Sequence, residues 1–257
     1  MNWMNLSESM IRWIHVLAGI LWVGHLWFFN FVNANFAPTM DAETKRKVIP
    51  ELMPRGLFWF RWGALFTWVT GLLLLGLVFY MGGETLEGGK GTPWTLLGRV
   101  MLLVTFMAPF AYDIAVKTVL KSNVALFWGG FVLVCAAIYG FKASGFSNRG
   151  LQIHLGALFG TIMAFNGWFR IWPAQKRIIT AIKAGEKPED ALVALAGARS
   201  RHNTFLSVPL VFMMINAHNP WTSSYSDPFP ILTAAVVLFG WGLTQHLYGI
   251  SKRVKGF

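Results

Sequence analysis

Seven long apolar stretches, separated by polar connections, follow one another along the 257-residue chain. Each approaches or exceeds the ~20 apolar residues that a helix needs to cross the hydrocarbon core of a bilayer. The pattern therefore predicts an all-α fold, a polytopic membrane helix bundle of about seven transmembrane helices in one integral membrane domain spanning residues 1–257. The predicted spans lie near residues 10–33, 57–80, 95–116, 123–141, 151–172, 203–219 and 230–250.

The polar connection at residues 175–201 has a helical pattern of its own, because isoleucines and leucines recur in it at helical spacing. We expect one or two short interfacial helices here, interrupted near Gly185 and Pro188.

Composition supports the membrane class. Hydrophobic residues make up 55% of the chain and charged residues only 13%, which is less charge than the surface of a soluble domain needs. The lone cysteine, Cys135, lies inside the fourth span, so the sequence holds no disulfide framework, no CxxC metal motif and no CxxCH haem-attachment motif.

The net charge of +11 follows the predicted topology. Lysines and arginines are concentrated in the connections after the first, third and fifth spans and in the C-terminal tail, whereas the connections on the other side hold only Lys90, Lys142 and Arg149. Because positively charged loops stay in the cytoplasm, we expect the N-terminus outside and the C-terminus inside. The expected partner of this charge is the lipid bilayer, and not nucleic acid.

All six histidines lie within or at the ends of predicted spans. With the predicted orientation and a rise of ~1.5 Å per residue, they sort into two layers. The outer layer contains His15, His154 and His218, and the inner layer contains His25, His202 and His246.

Two imidazoles that reach one depth from different helices are what a b-type haem needs, since its iron takes axial nitrogen ligands. We therefore expect one or two haems b, with the haem iron bound by two of His15, His154 and His218. His25 and His246 are further candidates for cofactor binding. Two alternatives stay open: a structural role for any single histidine, and a copper or zinc site in a metal-handling or transport protein.

Charged residues near the cytoplasmic ends of the spans indicate an anion site in the inner layer. Arg61, Arg170 and Asp113 all fall there, close to the depth of His202. Guanidinium groups bind haem propionates or an acidic substrate in a fork geometry, so these four residues are the candidates for catalysis. For a lone arginine, the alternative is a side chain that reaches out to the lipid headgroups.

Three stretches of the sequence together resemble a known family. "RWIHVLAGILWVGHLWFFNFV", "FWFRWGALFTWVTGLLLL" and "RSRHNTFLSVPLVFMMINAHNP" are similar to the membrane domain of the PuuD-type bacterial urate hydroxylases. The first stretch also distantly resembles the haem-binding first helix of the HemJ protoporphyrinogen oxidases. The positions that match the urate hydroxylase pattern are His15, Arg61, Arg201, His202, Asn203 and His218, which adds Arg201 and Asn203 to the candidates for cofactor binding.

That family joins a membrane domain to a C-terminal cytochrome c domain and is assigned to oxidising urate to 5-hydroxyisourate. The resemblance implies a haem b redox protein of the bacterial inner membrane that passes electrons from urate, or another small anion, to a cytochrome c. Because the sequence contains no CxxCH motif, the expected acceptor is a separate cytochrome c or a subunit of a respiratory complex. The alternative is a non-catalytic haem-binding or accessory electron-transfer subunit of a larger membrane complex.

Overall fold

The computed structural model describes residues 3–219 and 229–256, and this part of the chain folds into helices joined by turns and short connections. No strand occurs in it, so the predicted all-α class is confirmed. The longer helices are α1 (Trp3–Trp27), α2 (Ala42–Leu74), α3 (Leu96–Thr118), α4 (Asn123–Ala143), α5 (Asn148–Asn166), α6 (Trp172–Ala184), α7 (Asp190–Asn216) and α8 (Phe229–Ser251).

Three π-helical segments interrupt these helices. The first, Phe28–Asn33, continues α1; the second, Leu75–Met81, continues α2; the third, Gly167–Ile171, joins α5 to α6. A π-helical turn inserts an extra residue into the α-helical ladder and re-aims the side chains that follow, which is why such turns concentrate at functional sites.

Five helical segments are long and apolar enough to cross a membrane, and they contain the first four predicted spans and the seventh. They are Asn5–Thr39, Ala42–Met81, Leu96–Thr118, Asn123–Ala143 and Phe229–Ser251. Exposed apolar side chains such as Leu103, Val132 and Phe239 line three of them, as expected of a surface that meets lipid.

The predicted spans 151–172 and 203–219 are helical, but they are not among these five segments. Their helices, α5 and α7, carry buried polar side chains instead of a continuous apolar surface. These are Gln152, His154, Thr161 and Asn166 on α5, and Arg199, Asn203, Thr204 and Ser207 on α7. Membrane crossing by these two helices stays a prediction, and so does the orientation of the chain.

The residue contacts divide the chain into two compact units. The first unit comprises Met1–Ser9, Gly71–Ile162 and Val208–Trp241, and the second comprises Met10–Thr70, Met163–Ser207 and Gly242–Phe257. A single membrane domain over the whole chain stays a prediction.

The expected break in residues 175–201 is confirmed within the second unit. Helix α6 ends at Ala184, and the φ of 78° at its C-cap, Gly185, is the left-handed conformation that glycine adopts without steric cost. Helix α7 begins at Asp190, beyond Pro188. The two helices bury Ala174, Ile178 and Ala196 between them.

Candidate functional site

Helices α1 and α2 of the second unit pack antiparallel, and their register places the predicted site residues at defined levels. His15 lies beside Thr70 at one end of the pair. Further along, a Cβ on Gly63 would lie 3.0 Å from the backbone nitrogen of Trp22, so the helices approach closely here. From the first contact to the second, the chain advances by the same number of residues on α1, from His15 to Trp22, as it goes back on α2, from Thr70 to Gly63. The same register places His25 at the level of Phe60 and Arg61.

His15 is oriented by a threonine hydroxyl. Its Nδ1 lies 3.1 Å from Oγ1 of Thr70. That hydroxyl donates its single proton to the carbonyl oxygen of Phe66, 2.5 Å away, so it accepts from His15. Nδ1 therefore carries the proton, and Nε2 of this half-buried ring keeps its lone pair.

His25 has the same tautomer for a different reason. Its Nδ1 lies 2.7 Å from the carbonyl oxygen of Leu21, one turn earlier on α1. A carbonyl oxygen only accepts hydrogen bonds, so Nδ1 is the donor and Nε2 is the basic nitrogen. The two imidazoles lie ten residues apart, which is about 15 Å along the helix axis, and both present Nε2 as the nitrogen able to bind a metal.

Arg61 lies against two tryptophans of the second unit. Its guanidinium carbon is 3.6 Å from the ring centroid of Trp172 and 5.1 Å from that of Trp168. The carbonyl oxygen of Arg61 accepts a hydrogen bond of 3.0 Å from Trp168 Nε1. Trp168 lies within the π-helical segment Gly167–Ile171, and Trp172 follows directly after that segment.

Arg170 has a separate environment. Its guanidinium lies 5.4 Å from the ring centroid of Phe165, and Nη1 donates to the carbonyl oxygen of Phe169. Because Arg170 is two residues from each tryptophan, its side chain leaves the helical run on roughly the opposite side. A shared anion site of Arg61 and Arg170 stays a prediction.

The remaining inner-layer candidates lie where α7 meets α8. Arg201 Nη2 donates to Gln245 Oε1 at 3.2 Å, and its guanidinium carbon lies 5.0 Å from the ring centroid of Tyr248. His246 follows Gln245 and is exposed, whereas His202 is half-buried. These contacts place Arg201 of α7 beside the C-terminal part of α8, at one end of the second unit.

Asn203 ties α5 to α7. Its Nδ2 donates to the carbonyl oxygen of Met163, and its Oδ1 accepts from Asn166 Nδ2, both at 2.9 Å. The side chain is fully buried, so both ends of the amide are engaged within the protein. Cofactor binding by Asn203 stays a prediction.

Asn30 is a residue of this region that the sequence analysis missed. Its Nδ2 donates to the carbonyl oxygen of Leu26 and to Ser200 Oγ, and its Oδ1 accepts from the hydroxyl of Tyr248. It thus connects three helical runs at the end where Arg201 lies. An amide inside the apolar run "FFNFVN" is the signal that could have found it, since a polar side chain in a membrane helix usually faces a protein partner.

His154 is the centre of a buried cluster in the first unit. Its Nδ1 donates to the carbonyl oxygen of Gly150 at 2.7 Å, and its Nε2 accepts from the hydroxyl of Tyr80 at 2.9 Å. The rings of Phe141 and Phe146 enclose the fully buried imidazole. Tyr80 belongs to the π-helical segment Leu75–Met81, and it was not among the predicted site residues.

His218 and Asp113 complete the candidates of the first unit. Arg149 Nε donates to the carbonyl oxygen of Ala217 at 2.8 Å, so exposed His218 lies at the same end of the unit as the start of α5. Asp113 is buried, and its carboxylate accepts from Lys117 Nζ at 2.6 Å on the same helix. Lys117 is thus a cationic partner of Asp113 one turn later on α3.

The three outer-layer histidines, two of which were predicted to bind the haem iron, belong to different units: His15 to the second, and His154 and His218 to the first. Over the described residues, no three histidine, cysteine or acidic side chains converge as they would around a metal ion. The expected pairing of two outer histidines on one iron stays a prediction.

A family model described as urate oxidase N-terminal matches residues 1–255. The chain belongs to this family. The match confirms the resemblance to the urate hydroxylase membrane domain, whereas nothing in the comparisons supports the resemblance to the HemJ oxidases. A search of curated proteins and a search of solved structures each returned no match.

As a urate oxidase N-terminal domain, the chain is a urate hydroxylase-related membrane domain. The family match spans both units. It therefore includes His15, His25 and Arg61 in the second unit, and the Tyr80–His154 pair in the first. His25 lies just before one π-helical segment, Tyr80 lies within another, and Arg61 stacks against Trp168 of the third.

Proposed function

We propose that this chain is a haem b-binding redox domain that passes electrons from a small anionic substrate, such as urate, to an external cytochrome c. The observation that carries the proposal is the common tautomer of His15 and His25. Each imidazole donates Nδ1–H to a protein oxygen and keeps the lone pair on Nε2. Histidines that bind metals are oriented in this way, by a hydrogen bond from the ring nitrogen that does not bind the metal.

The donor set of the second unit fits a haem. Two imidazoles on one helix, about 15 Å apart, would serve two separate haems along the membrane normal. At Gly24, beside His25, an added Cβ would meet no atom within 4 Å, which leaves room beside the helix for a flat group. Bound haem b would supply one-electron transfer between the two sides of the membrane.

The chain's own residues have three tasks under this proposal. Thr70 and the Leu21 carbonyl oxygen fix the ring orientation of His15 and His25. Arg61, at the level of His25, supplies positive charge in the inner layer. The close α1–α2 contact at Gly63 keeps the two histidine levels in register.

The experiment is a reduced-minus-oxidised absorption spectrum of the detergent-purified protein, made with haem available, together with pyridine haemochrome quantification. We expect a b-type spectrum that is weakened in His15→Ala and in His25→Ala, and lost in the double variant. Val16→Ala is the matched control, since Val16 is next to His15 and 52% exposed. Full haem content in the double variant would assign ligation to other residues, and no haem in the wild type would reject the cofactor.

The substrate is tested separately by adding urate to the oxidised protein, with and without a soluble cytochrome c. Reduction of the haem by urate, followed by reduction of the added cytochrome, is expected. A haem that is reduced by dithionite but not by urate would retain the redox proposal and reject urate as the electron donor.

A further inference from the structure

Arg61 is a cation within an apolar helical segment, and its charge has no acidic partner in the described residues. The segment that contains it, Ala42–Met81, is one of those long and apolar enough to cross a membrane. An arginine at such a position is costly unless its charge is compensated, so it indicates a ligand or a functional contact. The ion pairs of the same helix involve other residues, namely Lys47 with Glu43 and Arg55 with Glu51.

The guanidinium of Arg61 is held in a defined plane. The Trp172 ring lies under it at 3.6 Å, and Nε donates to the carbonyl oxygen of Leu57 at 3.2 Å. The backbone of Arg61 is fixed in turn by the hydrogen bond from Trp168 to its carbonyl oxygen. Stacking on an aromatic ring and one hydrogen bond at Nε leave the outer edge of the guanidinium, Nη1 and Nη2, for another partner.

Neither Nη atom makes a hydrogen bond or an ion pair within residues 3–219 and 229–256. Their geometry matches two coplanar oxygens, as in a carboxylate or in a delocalised ring oxyanion. The tryptophan beneath the guanidinium extends an aromatic surface beside those oxygens, which suits a ligand that is itself flat. His25 lies at the same level of the α1–α2 pair, so the edge of Arg61 is close in depth to an imidazole that can bind a metal.

We propose that Arg61, held against Trp172, binds the anionic oxygens of a planar ligand. This proposal rests on the proposed function. Two groups would supply such oxygens: a propionate of haem b, and the ring oxyanion of the oxidisable substrate. Both present delocalised negative charge on a flat group, so both would use the same Nη1–Nη2 edge.

The test measures the binding of three probes to purified protein: haem b, haem b dimethyl ester, whose propionates are uncharged, and urate. The variants are Arg61→Gln, which removes the charge, and Arg61→Lys, which keeps the charge but loses the planar fork. Arg55→Gln is the matched control, since Arg55 lies on the same helix, is exposed and pairs with Glu51. Haem binding is followed by absorbance titration and urate binding by equilibrium dialysis, so neither readout needs turnover.

If Arg61 binds a propionate, Arg61→Gln weakens haem b binding about tenfold, leaves the dimethyl ester unaffected and leaves urate binding unchanged. If Arg61 binds the substrate, the same variant weakens urate binding about tenfold and leaves both haem probes unchanged. In either case Arg61→Lys also weakens binding, and Arg55→Gln does not.

The proposal is overturned if Arg61→Gln and Arg55→Gln bind all three probes alike, which would leave Arg61 as a contact for lipid headgroups. A wild-type protein that binds urate but no haem would reject the haem proposal while still testing the Arg61 site. A wild-type protein that binds none of the probes would reject both.

Discussion

Nδ1 of His15 and Oγ1 of Thr70 lie 3.1 Å apart, and this contact joins two helices as well as setting the tautomer of the histidine. The threonine hydroxyl has one proton, which it gives to the carbonyl oxygen of Phe66, so it accepts from the imidazole. Thr70 on α2, together with the backbone of Thr67, thus helps to set which nitrogen of a residue on α1 is free to bind a metal.

Replacing Thr70 tests this dependence. Thr70→Val removes the acceptor while keeping the shape of the side chain, and we expect haem affinity at the His15 site to fall by about ten- to a hundredfold. Thr70→Ser keeps the hydroxyl and should bind as the wild type does. The measurement is absorbance titration of the haem-free protein, and equal affinities for the valine and serine variants would contradict the role of the hydroxyl.

The contact at Gly63 predicts a loss of stability from one added methyl group. A Cβ there would lie 3.0 Å from the backbone nitrogen of Trp22 and 3.2 Å from the carbonyl oxygen of Ala18. Backbone atoms can move away from the new methyl group only if the helix moves with them. We therefore expect Gly63→Ala to lower the free energy of unfolding by about 1–3 kcal/mol.

Gly24→Ala is the control for Gly63→Ala, because a Cβ at Gly24 meets nothing within 4 Å. It should not lower the free energy of unfolding and should raise it by up to about 1 kcal/mol, because alanine is the better helix former. Denaturant unfolding in detergent, followed by tryptophan fluorescence, compares the two. Equal losses would mean that the helices are not in close contact at Gly63.

The Tyr80–His154 pair predicts a difference between the haem-free and haem-loaded states. In the haem-free protein, Tyr80→Phe leaves the buried Nε2 of His154 without its donor, which should cost about 1–3 kcal/mol of stability. Tyr139→Phe is the control, since Tyr139 is 54% exposed. If Nε2 binds the haem iron in the loaded protein, the cost of Tyr80→Phe should shrink there. The same cost in both states would assign His154 a structural role.

The pH dependence of the start of α2 follows from Asp41. Its carboxylate accepts from the backbone N–H of Thr44 at 2.8 Å and from the Thr44 hydroxyl at 2.9 Å, and these hydrogen bonds lower the pKa of Asp41. A lowered pKa in the folded state means that the stabilisation is present above the ordinary value of about 4 and is lost as the pH falls through the folded-state pKa.

Two measurements check the Asp41 prediction. Titration of the carboxyl carbon by NMR should give a pKa below that of an unstructured aspartate. The wild type should also be more stable than Asp41→Ala at neutral pH, with the difference disappearing in acid. A difference that persists at pH 2 would show that the charge of Asp41 is not its source.

The predicted orientation is tested with single cysteines in a Cys135→Ala background. Lys90→Cys lies in the connection between α2 and α3, and Lys183→Cys lies near the end of α6; both positions are exposed. A maleimide that cannot cross membranes should label Lys90→Cys in intact cells and Lys183→Cys only after permeabilisation. The opposite pattern would reverse the assignment of the inside.

Helical periodicity and apolar run length were sufficient to predict the helices, because a long apolar segment satisfies its backbone hydrogen bonds internally whatever its neighbours are. The break near Gly185 was also predictable, since glycine and proline act on the local backbone. The sequence did not show that α5 and α7 bury polar side chains such as His154 and Asn203. An apolar run with a few polar residues has the same sequence pattern whether those residues contact lipid or protein.

The sequence by itself determined the class, the helices and the six histidines that can bind a metal, because these depend on composition and on spacing along one helix. Only the tertiary structure decided which hydroxyl meets His15 and which groups surround Arg61. Thr70 is 55 residues from His15, and Trp168 is 107 residues from Arg61. Contacts over such separations follow from the register of packed helices, and no local pattern in the sequence encodes that register.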